Sequence, residues 1–190
     1  MPPAFAVVAR FSWFKGTVFA LLALNAGVYL VTGTASEGLD SVAWLVLLVL
    51  FELETSAGPL STGTASIVHG ARLVAGVAIP VAAIGYANDE EWLDAINAAL
   101  WIGVVVLLEL QVRFPQFAVR FRTVALALAA ALYAGLGAVA VIWLWRADWF
   151  GGYDACLWLL AFATIEFNVM QSLRRLPTTV RAAAVRAEQG

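Results

Sequence analysis

Three glutamates lie at equal intervals within apolar sequence, and they are the first candidates for chemistry in this chain. Glu52, Glu109 and Glu166 are separated by 57 residues each time, and each ends an apolar run that begins with a tryptophan eight residues earlier. Ionisable side chains in membrane helices usually face the bundle interior and often mark ion pathways. Three neighbouring carboxylates cannot all remain ionised without a cation. The spacing therefore predicts a cation or proton site, whose metal, if any, the sequence leaves unknown.

A salt bridge is the alternative role for these glutamates. Arg113 follows Glu109 by four residues, a spacing at which helical side chains meet, and Lys15 and Arg72 are candidate partners for the other two. Helical side chains lean toward their own N-terminus, so Lys15 and Glu52 are expected to lean apart. That geometry counts against the pair, and both roles stay open.

Further residues keep the same 57-residue interval. They are Asp40, Asn97 and Asp154, then Trp44, Trp101 and Trp158, and also Lys15 and Arg72, whereas Arg122 takes the basic role only in a shifted register. Each Asp or Asn lies twelve residues before its glutamate, about 18 Å along a helix. The pattern predicts three tandem copies of a two-helix hairpin, at approximately 10–60, 66–115 and 118–175. Three such copies can close into a pseudo-threefold bundle.

Composition indicates that these hairpins lie in a membrane. Of 190 residues 63% are hydrophobic and only 13% are charged, and the mean hydropathy is +0.88. A helix of roughly 20 apolar residues crosses the hydrocarbon layer, and the chain contains six such segments, at roughly 12–34, 39–57, 66–87, 91–113, 121–146 and 151–173. We therefore expect an all-α integral membrane protein with a single domain spanning residues 1–190.

The first apolar segment also has the pattern of a cleavable signal peptide. Arg10 and Lys15 precede an apolar stretch, and small residues follow at 33–36. Because this segment supplies half of the first hairpin, we expect it to be retained.

The distribution of charge predicts the orientation. Ten of the eleven basic residues fall at one set of helix ends, and only Arg146 falls at the other. The positive-inside rule then places both termini in the cytoplasm, with residues 176–190 as a short cytoplasmic tail. Arginine outnumbers lysine ten to one, which is typical of GC-rich bacterial genomes, so we expect a bacterial cytoplasmic (inner) membrane.

The eight tryptophans have a simple explanation as interfacial anchors. All lie near helix ends in the predicted arrangement, and aromatic side chains form belts at both membrane surfaces. The sequence therefore favours belt anchoring over ligand binding for Trp44, Trp101 and Trp158.

Two functions fit these patterns. The first is a small transporter or channel for a cation or protons that uses Glu52, Glu109 and Glu166. The alternative is a non-catalytic subunit or scaffold of a larger membrane complex. The possible protein partners are that complex or further copies of this chain. The sequence offers no HExxH, CxxC or GxSxG motif, so we expect neither catalysis nor a cofactor. The remaining enzymatic alternative is an enzyme that uses the three glutamates to modify a lipid substrate. The basic residues are explained by topology, and nucleic-acid binding is not expected.

Overall fold

The computed structural model is helical throughout its described residues. It describes the backbone of 4–56, 61–114 and 120–174, and the side chains of 13–53, 61–110, 114 and 120–163. The helices in this part of the chain are α1 (Ala4–Thr32), α2 (Ala35–Ser56), α3 (Thr62–Asn88), α4 (Trp92–Arg113), α5 (Arg122–Trp145) and α6 (Trp149–Arg174). The all-α prediction is confirmed, and each helix covers one of the six predicted apolar segments.

Polar residues fix where several helices begin. At the start of α2, the Thr34 N–H donates to Glu37 Oε2 at 2.6 Å and the Glu37 N–H donates to Thr34 Oγ1 at 3.2 Å. This reciprocal pair is a capping box, which satisfies N–H groups that the first helical turn leaves free. Asp148 caps α6 by accepting from the Gly151 N–H at 2.9 Å.

The turns α3–α4 and α5–α6 share their backbone geometry. Glu90 and Ala147 have positive φ angles of 62° and 61°. Equivalent hydrogen bonds close the two turns, from the Glu91 N–H to the Tyr86 carbonyl and from the Asp148 N–H to the Trp143 carbonyl, both at 2.9 Å. Donors and acceptors are again 57 residues apart, so the interval seen in the sequence also relates these two turns.

The helices pack as a closed ring. Each helix contacts its neighbours in sequence, and α6 returns to pack against α1. Aromatic side chains of α2, α4 and α6 fill the interior: the Trp44 ring lies 6.1 Å from that of Trp101 and 6.3 Å from that of Trp158, and Phe162 packs 4.6 Å from Trp101. The even-numbered helices therefore meet through their aromatic side chains.

The outer surface of the ring is apolar. On α3, for example, Ile67, Val74 and Ile84 are 74%, 71% and 62% exposed. Four helices contain stretches long and apolar enough to cross a membrane, at Trp13–Thr32, Thr62–Asn88, Trp92–Leu110 and Arg122–Trp145. Apolar side chains on the outside are expected when lipid is the solvent, so the chain is a helical bundle of membrane-protein type.

Candidate functional site

A polar cavity lies inside the ring, and three residues spaced by 57 meet there. Asp40, Asn97 and Asp154 all line it. Each is the sixth residue of its helix, α2, α4 and α6 respectively. The cavity therefore lies about 7.5 Å inside the N-terminal ends of these three helices, at 1.5 Å of rise per residue.

Tryptophans form the other wall of this cavity. Trp44, Trp101 and Trp158 complete its lining together with Ser41, and its volume is about 40 Å³. A second cavity of about 40 Å³ adjoins it, and six of the seven residues that line the first cavity also line the second. The additional residues there include Tyr29, Glu37, Tyr86, Asp94 and Trp143. The polar residues at this end of the ring thus surround one connected region.

Hydrogen bonds hold the two carboxylates in place. The Trp44 indole Nε1–H donates to Asp40 Oδ1 at 3.1 Å, along the same face of α2. Trp158 follows Asp154 at the same four-residue separation, and both line the cavity. Asp154 Oδ1 also accepts from Asn25 Nδ2 of α1 at 2.7 Å, and Asn25 is itself only 5% exposed. These donors orient both carboxylates.

In the middle hairpin Asn97 takes the position that Asp40 and Asp154 hold in the other two. Its amide oxygen differs from their carboxylates in its hydrogen bonding. Asn97 Oδ1 is buried and has no hydrogen-bond partner among the described residues. A buried acceptor without a partner costs about 1–3 kcal/mol, so a proton donor or a cation at this oxygen would stabilise the site.

Negative charge is concentrated at this end of the bundle. Among the described lining residues of both cavities, four are acidic and none is basic. Glu91, in the turn outside the membrane-spanning stretches, is affected by this crowding: burial raises its pKa, and the charges of Glu37 and Asp89 raise it further. An acidic region of this kind attracts cations.

The predicted glutamate site lies in the other half of the helices. Glu52 accepts from Lys15 Nζ at 2.5 Å, with side chains 30% and 28% exposed. The lean of the two side chains therefore does not prevent the pair, since a lysine stem is long enough to reach across. Glu109 is exposed. The Glu166 side chain lies outside the described residues, so the three-glutamate cluster stays a prediction.

The structure describes two of the other basic residues proposed as partners. Arg72 and Arg122 are exposed, and the Arg113 side chain lies outside the described residues, as does the tail at 176–190. Within the described part of the chain, no group of three or more His, Cys, Asp or Glu side chains could hold a metal ion.

The belt interpretation is wrong for Trp44 and Trp101, which are only 7% and 5% exposed and belong to the core. Trp158 is partly buried and packs against the same core, and Trp143, at 8% exposed, belongs to another core cluster. A signal for this was present in the sequence: each Asp or Asn of the set lies four residues before its tryptophan, which places both side chains on one helix face. For the remaining exposed tryptophans, such as Trp13 and Trp92, belt anchoring stays a prediction.

No protein-family model matches the chain, and no curated protein or solved structure matches it either.

Proposed function

We propose that this chain is a small multi-pass membrane protein that moves a cation or protons, with the acidic cavity as the place where the cation enters. The observation that carries the proposal is the convergence of Asp40, Asn97 and Asp154 on one cavity inside a ring whose outside is apolar. A largely buried carboxyl without a basic partner is stable either with a proton or beside a cation. Such a group can therefore take up and release positive charge.

The proposal includes an arrangement in the membrane. All six helices would cross it as three tandem hairpins of a pseudo-threefold bundle, in a bacterial inner membrane, with both termini in the cytoplasm. The cavity would then face the opposite side, where the acidic turn residues lie. Glu52, Glu109 and Glu166, twelve residues further along the even helices, would form a second station nearer the cytoplasm.

Flux through the purified protein in liposomes tests this function. We expect Asp40→Asn and Asp154→Asn to reduce cation or proton flux roughly tenfold or more, because a hydrogen bond or contact to a charged group contributes about 1.5–3 kcal/mol. Asp89→Asn is the matched control: it removes one negative charge from an exposed residue at the same end. Glutamine at positions 52, 109 and 166 tests the second station.

A subunit or scaffold role is the competing function. Under it, liposomes containing the protein would show no flux above empty liposomes for protons, alkali cations or ammonium, and the protein would co-purify with membrane partners in mild detergent. Equal flux in Asp40→Asn, Asp154→Asn and Asp89→Asn would instead show that the cavity is not on the path.

A further inference from the structure

The cavity has features that narrow the kind of cation it can hold. We propose that it binds a single monovalent cation of alkali-metal or ammonium size, through oxygen atoms contributed by α2, α4 and α6. This inference rests on the proposed function, since it assigns a ligand class to the same site. It differs from proton transfer alone, which would need no space for an ion.

The first argument is the set of available oxygens. A carboxylate has about four acceptor positions. One hydrogen bond from Trp44 to Asp40 and one from Asn25 to Asp154 therefore leave both carboxylates able to bind a cation. Asn97 adds an oxygen that is buried and has no partner. The hydrogen-bond donors orient both carboxylates. The unpaired amide oxygen of Asn97 is an independent sign that a cation or a hydrogen-bond donor binds at this position.

The second argument is size. The cavity measures about 40 Å³, and a water molecule needs roughly 10–15 Å³ on this kind of measure. There is room for one small ion with one or two waters. The tryptophan rings of α2, α4 and α6 pack against one another beneath it, so larger organic cations do not fit.

The third argument is charge. Asp40 and Asp154 are the carboxylates that line this cavity itself and give it a formal charge of −2, whereas Glu37 and Asp94 line only the adjoining cavity. The N-terminal ends of α2, α4 and α6 lie at the same end of the ring. Each helix N-terminus is equivalent to roughly half a positive charge, although the effect weakens beyond the first turn. The remaining negative charge is matched better by one positive charge than by two. The side chains with oxygen that line this cavity are Asp40, Ser41, Asn97 and Asp154, which carry six oxygen atoms. Two of these, Asp40 Oδ1 and Asp154 Oδ1, already accept hydrogen bonds, which leaves fewer than the six to eight oxygens that calcium takes. Magnesium usually keeps several of its waters, and the cavity has no room for them.

Equilibrium binding tests the inference separately from transport. The purified protein is heated in an uncharged detergent at pH 8 and constant ionic strength, in sodium, potassium or ammonium chloride, with N-methyl-D-glucamine chloride as the cation too large to enter. We expect the unfolding temperature to rise and saturate with at least one of the small cations and to remain unchanged with the large one.

Substitutions at Asn97 connect this shift to the cavity. Asn97→Asp supplies a third carboxylate and is expected to lower the half-saturating cation concentration about tenfold, because a charged ligand adds about 1.4 kcal/mol or more. Asn97→Leu is expected to abolish the shift, and Asp89→Asn to leave it unchanged. If Asn97→Leu does not fold, Asn97→Asp alone decides the question.

Other outcomes overturn the assignment. Equal shifts in all four salts, a shift insensitive to Asn97→Asp, or a response to millimolar calcium or magnesium without one to monovalent cations would each be incompatible with it. Saturable binding without flux in liposomes would retain this inference and remove the transport function. Proton flux without saturable cation binding would retain the transport function and remove this inference.

Discussion

Among single residues, the Lys15–Glu52 pair is the best-defined ionic contact of the described chain. Its N–O distance is 2.5 Å, and both side chains keep nearly a third of their surface accessible. Exposed pairs contribute up to about 1 kcal/mol, and polar pairs between membrane helices average about 0.6 kcal/mol. The pair therefore stabilises the contact between α1 and α2 only moderately.

A double-mutant cycle measures this contribution. We expect Lys15→Met and Glu52→Gln to lower the free energy of unfolding by about 1 kcal/mol each. The coupling energy between the two native side chains is expected to be stabilising, at about 0.5–1.5 kcal/mol. Reversible unfolding in detergent and urea gives the values. A coupling indistinguishable from zero would mean that the contact between Lys15 and Glu52 has no role in stability.

The sequence was a better guide to which residues form the candidate site than to the surroundings of their side chains. The interval of 57 residues drew attention to Asp40, Asn97 and Asp154, and the structure brings those three together. It could not show that Trp44 and Trp101 point into the ring, because a tryptophan near a helix end fits both an interface belt and a core. The four-residue spacing from each Asp or Asn to its tryptophan puts the two side chains on one helix face. Whether that face points into the ring depends on the relative rotation of three helices, which contacts distant in sequence determine.

Among the helices and turns, the contact between α2 and α3 at Gly85 leaves no space for a side chain. A Cβ atom added at Gly85 would overlap the hydroxyl oxygen of Ser36, whereas one added at Gly76 in the same helix would meet nothing within 4 Å. Ser36 is also buried, so it has little space into which it can move. The absence of a side chain at Gly85 is therefore a requirement of this contact.

Gly85→Ala is expected to destabilise the protein by about 1–3 kcal/mol, the usual cost of overpacking. The matched substitution Gly76→Ala adds the same methyl group to the same helix and is expected to be neutral or slightly stabilising. Thermal unfolding in detergent compares them. Equal unfolding temperatures for the two variants would show that α2 and α3 can separate without loss.

Helix positions were predictable because apolar runs and polar turns alternate along the chain. The conformations of the turns were harder to predict than the helix positions. Glu90 and Ala147 adopt positive φ angles, which are usually found at glycine. Sequence patterns that rely on glycine to mark such turns do not detect these positions. The closing hydrogen bonds to the Tyr86 and Trp143 carbonyls compensate for the strain.

For the whole molecule, the seam between α6 and α1 decides whether the ring is closed. A partly buried hydrogen bond crosses it, from Asn25 to Asp154, beside an apolar cluster that includes Val18, Leu22 and Leu157. The apolar contacts are nonspecific, while the hydrogen bond fixes the relative height of the two helices. The sequence predicted a bundle of hairpins that could close, but not which side chains would join its ends.

Removing the seam hydrogen bond is expected to weaken the whole ring. Asn25→Val leaves a buried carboxylate without one of its donors and is expected to cost about 1–3 kcal/mol. Thr32→Val removes a hydrogen bond made within α1, to the Val28 carbonyl, and is expected to change stability by less than about 0.5 kcal/mol. Both are compared by thermal unfolding; similar small effects would show that the apolar cluster alone closes the ring.

The seam also has a consequence for biosynthesis. Asn25 and Asp154 are 129 residues apart in the chain, and at about 5–20 residues per second a ribosome needs roughly 6–26 seconds to make the intervening segment. During that time Asp154 does not yet exist, so the Asn25 amide lacks the partner that it has in the finished ring. The ring cannot close before α6 has been made, and a chain truncated before α6 would leave Asn25 without this hydrogen bond.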